Sequence, residues 1–256
     1  MTWLRLLGVV LVGLVVAAVV GARTMRGKFE PPTEIKPGIA QVDAGGALVV
    51  AARVGSKVVL FDAGMDEKGR AIDALLTLLK ASRADVSDIF LTHGHPDHIA
   101  GVNLFPKARV HGGAADAGWL AGTERPTLLL PRLMTAIMPS TSARLTDPLH
   151  GPAEVKLEGG KVVRCLPAPG HTPGSYVYLY DGVLVVGDIM RLQQDHLAAL
   201  PGPVDNNPEQ NKQAVRNLKP LLKDAQIEFV STAHGGTTPP GQGRRMLDAH
   251  WAALGA

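Results

Sequence analysis

The stretch Thr92-His93-Gly94-His95-Pro96-Asp97-His98 gathers three of the nine histidines of the chain within seven residues. It begins where a short apolar segment, residues 88–92, ends, and that segment predicts a buried strand. Because side chains two apart on an extended backbone point the same way, His93 and His95 are expected to face one point. Asp97 and His98 follow at the turn into a helix and can face a neighbouring point. Imidazole and carboxylate ligands suit zinc, and also iron or manganese, so the stretch predicts a metal site.

The elements around this stretch predict one α/β (α+β) domain. A strand hairpin followed by strand–helix units occurs in both halves of the chain, which predicts two sheets packed face to face with helices outside. The predicted strands are residues 47–54, 57–61, 88–92, 108–111, 161–166, 176–180, 183–186 and 227–232. The predicted helices are residues 68–82, 208–223 and 244–253, with Asn207 as the cap of the second.

The histidine-rich stretch resembles the His-x-His-x-Asp-His signature of the metallo-β-lactamase superfamily. Four other motifs of that family are matched, and all five occur in the family's order, at residues 59–64, 93–98, 169–175, 185–188 and 232–236. Together they span residues 59–236, which is most of the folded part of the chain. The resemblance implies a four-layer αββα sandwich.

Residue by residue, the resemblance implies a site for two zinc ions, with iron or manganese as alternatives. The side chains that would bind them are His93, His95 and His171 for the first metal, Asp97, His98 and His234 for the second, and Asp188 as a bridge between both. Asp62 would lie behind the ligands and orient a histidine of the cluster through its ring N–H.

The implied activity is hydrolysis of a small-molecule substrate. Two cations lower the pKa of a shared water towards neutrality, and we expect the resulting metal-bound hydroxide to attack an ester, thioester, lactone or phosphoester. Asp97 would be both a ligand and the proton acceptor after attack. A bridging carboxylate such as Asp188 is typical of the dinuclear hydrolases of the family, and true β-lactamases generally lack it. Hydrolysis of β-lactams is therefore not expected as the main activity.

Two other functions stay open at this stage. Persulfide dioxygenases share the fold but use one iron, held by two histidines and an aspartate, whereas this chain keeps every ligand for a second metal. A non-catalytic metal-binding protein on the same fold would usually have lost ligands, and none is lost here. Metal analysis distinguishes one iron from two zinc ions.

The N-terminal segment is apolar. Residues 6–22 are 17 residues without a charge, at the short edge of what spans a bilayer. We predict that residues 1–22 form an apolar helix that is either a transmembrane anchor or a secretory signal, with the length favouring the anchor. A linker over residues 23–38 and a single domain over residues 39–256 follow. The protein is thus expected to be membrane-anchored or exported, with the side of the membrane left open.

Composition limits the partners. The net charge is only +3, aromatic residues are 4% of the chain and no long basic run occurs, which argues against nucleic acid as the main partner. The oligomeric state is left open. Residues 122–148, with apolar side chains interrupted by prolines, predict either an ordinary core helix or an apolar flap beside the active site, and the core helix is preferred.

Overall fold

The computed structural model describes residues 30–124, 141–200 and 205–256. The helices within these ranges are α1 (Arg70–Leu78), α2 (Pro96–Ile99), α3 (Ala117–Leu120), α4 (Pro208–Leu221) and α5 (Gly243–Ala253). The strands are β1 (Thr33–Lys36), β2 (Ile39–Asp43), β3 (Leu48–Val54), β4 (Lys57–Phe61), β5 (Val86–Phe90), β6 (Arg109–Gly113), β7 (Asp147–Leu149), β8 (Ala153–Lys156), β9 (Val162–Pro167), β10 (Tyr176–Tyr180), β11 (Val183–Gly187), β12 (Arg191–Gln193), β13 (His196–Ala198), β14 (Phe229–Thr232) and β15 (Gly236–Thr237).

The first sheet has seven strands that lie side by side in chain order, β1 to β7. Its first three pairings are antiparallel, and Gly55, with a φ of 59°, allows the tight turn between β3 and β4. The pairings β4–β5, β5–β6 and β6–β7 are parallel. A parallel pairing needs a crossover connection, and α1 supplies it between β4 and β5.

The second sheet has six strands in the order β15-β14-β11-β10-β9-β8. The pairing of β11 with β14 is parallel, and α4 lies in the connection between them. The other pairings are antiparallel, including the hairpin from β10 to β11 across Asp181-Gly182. Strands β12 and β13 form a separate two-stranded ribbon.

Three apolar clusters define four layers. The middle cluster lies between the sheets and combines side chains of both, among them Phe61, Phe90, Cys165, Tyr178 and Val185. The second cluster joins the outer face of the first sheet to α1, and the third joins the outer face of the second sheet to α4 and α5. The predicted αββα sandwich is therefore confirmed. Burial of each large apolar side chain contributes about 1.5–3 kcal/mol.

Local chemistry explains where the two longest predicted helices begin and end. Asn207 caps α4, since its side chain accepts a hydrogen bond from the backbone N–H of Gln210, and Pro208 takes the first turn. Helix α1 is shorter than predicted, at Arg70–Leu78. Lys80 adopts a φ of 54°, a left-handed conformation that a helix cannot continue through.

The boundaries of the domain differ from the prediction in one respect. β1 lies inside residues 23–38, the predicted linker, and pairs with β2, so the sheet begins before Ile39. Residues 1–22 and most of 122–148 lie outside the described residues, so the anchor or signal and the choice between core helix and flap stay predictions. In the part of the chain that is described, no helix has the length and apolarity needed to cross a membrane.

Candidate metal centre

One end of the sandwich carries all the predicted site residues. His93 lies in the loop that follows β5, Asp188 directly follows β11 and His234 follows β14. These three strands end at the same edge of their sheets, because each is parallel to a neighbour. His171 lies in the turn between β9 and β10, whose antiparallel pairing returns the chain to that edge. The sequence therefore brings together residues that are up to 141 positions apart, from 93 to 234.

Four of these side chains form what is called here the first group: His93, His95, His171 and Asp188. Nδ1 of His95 lies 2.9 Å from Nε2 of His93 and 3.0 Å from Nε2 of His171. An oxygen of Asp188 lies 3.5 Å from the same nitrogen of His171. Three imidazole nitrogens and one carboxylate oxygen thus converge on one small volume.

The remaining three side chains form the second group: Asp97, His98 and His234. Nε2 of His98 lies 3.6 Å from Oδ2 of Asp97, and Nε2 of His234 lies 3.4 Å from it. Asp188 lies beside this group as well, with its oxygens 3.6 Å from His98 and 3.2 Å from His234. Asp188 is therefore the side chain that both groups share.

Groups behind the imidazoles fix the direction of the rings. Oδ2 of Asp62 lies 2.8 Å from Nδ1 of His98, and this carboxylate also accepts hydrogen bonds from the backbone N–H and the hydroxyl of Thr92. Nδ1 of His234 donates to the carbonyl of Gly46 at 2.8 Å. Asp62 has a φ of 62°, a strained conformation of the kind that accompanies functional sites.

The donor set fits metal ions. Nε2 of His98 and Oδ1 of Asp188 are buried and have no hydrogen-bond partner among the described residues. A buried polar atom without a partner costs about 1–3 kcal/mol, and a bound cation would remove that cost. Imidazole and carboxylate are the ligands that zinc, iron and manganese share. The cluster therefore suits a metal site, with His93, His95, His171 and Asp188 around one position and Asp97, His98, His234 and Asp188 around the other.

Histidines of the two groups have pKa values shifted in opposite directions. Burial, followed by repulsion from His171, lowers the pKa of His95 to about 3, and burial with repulsion from His98 lowers the pKa of His93 well below its usual range. Burial also opposes the charge of His98, but Asp62, Asp97 and Asp188 outweigh it and raise its pKa to about 9.

The carboxylates of the cluster have lowered pKa values, and they raise the pKa of His234. Burial alone would raise the pKa of Asp97, but His98 and His234 lower it to about 2. The same two histidines hold the pKa of Asp188 further below its usual range against the effect of burial. The pKa of His234 rises to about 11, because Asp188 and Asp97 outweigh burial. Both carboxylates are therefore ionised at neutral pH.

Two aspartates near the site were not identified from the sequence. Asp205 lies 2.8 Å from Nδ1 of His171, and Asp116 accepts hydrogen bonds from the backbone N–H groups of Gly94 and Gly174 and from the hydroxyl of Thr172. Asp116 thereby ties the loop of the first histidines to the loop of the third motif. Neither aspartate stands in a recognisable motif, so the only signal was an acidic residue next to a predicted turn or cap.

His111 and His196 lie outside the cluster. His111 bonds through Nε2 to Asp88, which Arg109 also contacts, and its ring stacks on Phe90. His196 is exposed beside Asp195. Trp119 is the one aromatic ring besides histidine that packs against a described member of the cluster, with its centroid 5.5 Å from that of His95.

Comparison with known sequences matches one protein family over most of the chain. The sequence profile of the metallo-beta-lactamase superfamily matches residues 42–234, well over half of the chain. A protein of Acidiphilium cryptum named hydroxyacylglutathione hydrolase is 34% identical over 121 residues, which are 46% of this chain and 40% of that protein. A protein of the same name from Anaeromyxobacter dehalogenans is 33% identical over 46% of this chain and 38% of its own length. The chain thus spans less than half the length of these curated relatives.

Comparison with solved structures agrees on the fold. A subclass B3 metallo-beta-lactamase of Bradyrhizobium japonicum superposes with a TM-score of 0.66 and 18% identity, covering 91% of this chain and 94% of that one. A metallo-beta-lactamase of Cronobacter sakazakii superposes with a TM-score of 0.63 and 21% identity, covering 82% and 80%. At these identities the likeness extends to the fold alone.

Proposed function

We propose that this chain, which belongs to the metallo-beta-lactamase superfamily, is a metal-dependent hydrolase with two zinc ions as its native cofactor. The observation that carries the proposal is the convergence of seven side chains from four separate segments of the chain into two groups that share Asp188. A purely structural zinc site is usually closed by four ligands in one tetrahedron, whereas these ligands divide between two positions.

The chain's own side chains define what happens at the site. Divalent metal ions activate water and polarise a substrate oxygen when they are bound. Asp97 is ionised at neutral pH and 8% exposed, so its carboxylate can take up a proton released during hydrolysis. The only cysteine is not available as a nucleophile, because Cys165 is buried between the sheets and burial raises its pKa to about 12.

Access to the site is restricted to one side. His93, His98 and His171 are almost fully buried, whereas the side chain of His234 is 35% exposed and His95 is partly exposed beside Trp119. Among the candidate ligands, His95 and His234 are thus the two that a substrate would meet first. The ring of Trp119 gives that side of the site an apolar edge.

We propose a thioester as the substrate class. Two relatives are named hydroxyacylglutathione hydrolase, and such a substrate contains a thioester. The ester, lactone and phosphoester classes share the same demand for an activated water and an ionised acceptor, so they are the comparisons in the test.

The experiment compares hydrolysis by the purified chain before and after metal removal. Release of free thiol from an acylglutathione is measured beside the oxygen ester of the same acid, a lactone and a phosphodiester. We expect thioester hydrolysis that disappears on chelation, returns with zinc and is absent from His95→Ala, with the exposed His196→Ala as the control. Full activity of the metal-free protein would disprove the proposal. One iron per chain together with oxygen consumption would favour a dioxygenase.

A further inference from the structure

Asp205 is a buried carboxylate outside the seven ligands of the proposed site. It is 2% exposed and lies at the end of the loop that precedes α4. Its Oδ1 lies 2.8 Å from Nδ1 of His171, the nitrogen on the far side of the ring from the first group. An acceptor there requires that Nδ1 carry the proton, which leaves the Nε2 lone pair facing His95 and Asp188.

The second oxygen of Asp205 extends this contact to the bridging residue. Oδ2 accepts a hydrogen bond from Nδ2 of Asn211 at 3.1 Å, and the same amide nitrogen donates to the carbonyl of Ile189 at 3.1 Å. Ile189 directly follows Asp188 in the chain. One buried chain of hydrogen bonds therefore connects the ring of His171 with the loop that carries Asp188.

The backbone reinforces the same connection. The N–H of Asn207 donates to the carbonyl of Gly170 at 2.8 Å, next to His171. Gly170 has a φ of 144°, and a Cβ at this position would lie 2.2 Å from the backbone nitrogen of Asn211. Only glycine allows so close an approach, so the start of α4 lies directly against the third metal motif.

Capping of α4 does not explain why the carboxylate of Asp205 is buried. The side chain that caps the helix is Asn207, which accepts from Gln210. A carboxylate buried to this extent costs free energy unless its charge is paired, and its side-chain partners among the described residues are His171 and Asn211.

We propose that Asp205 is a positioning residue that fixes the tautomer and direction of His171 and, through Asn211, holds the Asp188 loop at the distance that metal binding needs. The inference rests on the proposed metal site and deepens it. Carboxylates behind metal-binding histidines raise the basicity of the ligand, and their loss typically costs about 10–100-fold in metal affinity.

The test measures zinc affinity by competition with a chromogenic chelator. Asp205→Asn keeps the shape but loses the charge, and its amide would oppose the amide of Asn211, so we expect zinc affinity to fall by about 10–100-fold. Asn211→Ala leaves the contact with His171 intact and should give a smaller loss. Asp195→Asn is the matched control, because Asp195 is 96% exposed beside His196.

A purely structural carboxylate predicts another result. In that case Asp205→Asn lowers the melting temperature of the metal-free protein while the folded variant binds zinc as tightly as the wild type, and this outcome overturns the inference. If Asp205→Asn does not fold, unchanged zinc affinity in Asn211→Ala overturns it. A wild type that binds zinc without hydrolysing any substrate refutes the proposed function alone, whereas a wild type that binds no metal refutes both.

Discussion

The first and second groups of candidate ligands lie side by side and yet differ in charge. In the first group three imidazoles surround one volume, and burial with mutual repulsion lowers the pKa of His93 and His95. In the second group two imidazoles face ionised carboxylates, which raise the pKa of His98 to about 9 and that of His234 to about 11. Before metal binds, His93 and His95 of the first group are thus neutral, whereas His98 and His234 of the second group face the carboxylates of Asp97 and Asp188 as ion pairs.

This difference separates two ways of preparing a metal site. In the first group, the lowered pKa values of His93 and His95 mean that no proton has to leave these two rings before a cation binds. The second group must exchange protons for a cation, because metal ligands have to be deprotonated. Asp188 belongs to both arrangements, since it lies 3.5 Å from His171 and 3.2 Å from His234. Substitution of Asp188 therefore affects both groups, whereas substitution of a residue that belongs to one group tests how the two groups differ.

The largest effect is expected from Asp188→Ala. The change removes the carboxylate that both groups share, so that His98 keeps two acidic partners, Asp62 and Asp97, and His234 keeps Asp97. We expect metal content and hydrolysis to be lost together, beyond the roughly 10–100-fold typical of a group that only orients a ligand. Elemental analysis and the thiol-release assay measure both. Asp195→Asn controls for loss of a surface carboxylate, and an active Asp188→Ala protein with full metal content would contradict the shared role.

Sequence alone predicted part of this site because part of it is local. The stretch from His93 to His98 places four ligands within six residues, and alternation along an extended backbone brings His93 and His95 to one side. His171, Asp188 and His234 came only from the order of motifs in a resembling family. Asp205 is 34 residues along the chain from the ring of His171, and nothing near Asp205 in the sequence indicates that the two side chains are in contact.

Strands of the fold were likewise predicted where their local sequence pattern is clear and missed where it is not. Strands with a clear apolar run, such as β3, β4, β10 and β11, were predicted to within a residue. The strands β7, β12 and β13 were missed because three residues are too few to show a period. β1 was missed for another reason. It is a half-exposed edge strand with the sequence Thr-Glu-Ile-Lys, and it follows two prolines that are typical of a linker.

The next effect in size separates the groups. His95→Ala removes the nitrogen on which the first group converges, and His234→Ala removes a ligand of the second group alone. We expect each variant to lose about half of the bound metal while keeping the fold, because each leaves the other group complete. Metal-to-protein ratios and circular dichroism test this. Loss of all metal from both variants would mean that the groups bind as one unit.

A smaller effect is expected from Asp62→Asn, which acts behind the second group. Asp62 contacts His98 and Thr92, so the amide weakens the orientation of one ligand without removing it. We expect the affinity of the second group for its metal to fall by about 10–100-fold, while the affinity of the first group is unchanged. Stepwise chelator competition resolves the two steps. Equal losses in both steps would show that Asp62 supports the whole cluster.

The smallest effect is a difference in pH dependence. The raised pKa values of His98 and His234 mean that both are protonated at neutral pH in the metal-free protein, so a cation that enters the second group releases protons. Affinity there should rise as the pH increases from 6 to 8, because fewer protons compete with the cation. Affinity at the first group should change less, since the pKa of His95 is already about 3. Calorimetric titration in buffers of different ionisation enthalpy counts the protons that are released. The same pH dependence in both binding steps would contradict the difference between the two groups.

The most direct measurement is a zinc titration of the metal-free protein, with bound metal and thioester hydrolysis followed in the same samples. If the seven side chains form one hydrolytic centre with two positions, the protein takes up two zinc ions per chain, and hydrolysis appears with metal binding and is abolished again by a chelator. If the metal-free chain hydrolyses the thioester at the full rate, or if zinc binds equally well to His95→Ala and Asp188→Ala, the centre described here is not the source of the activity.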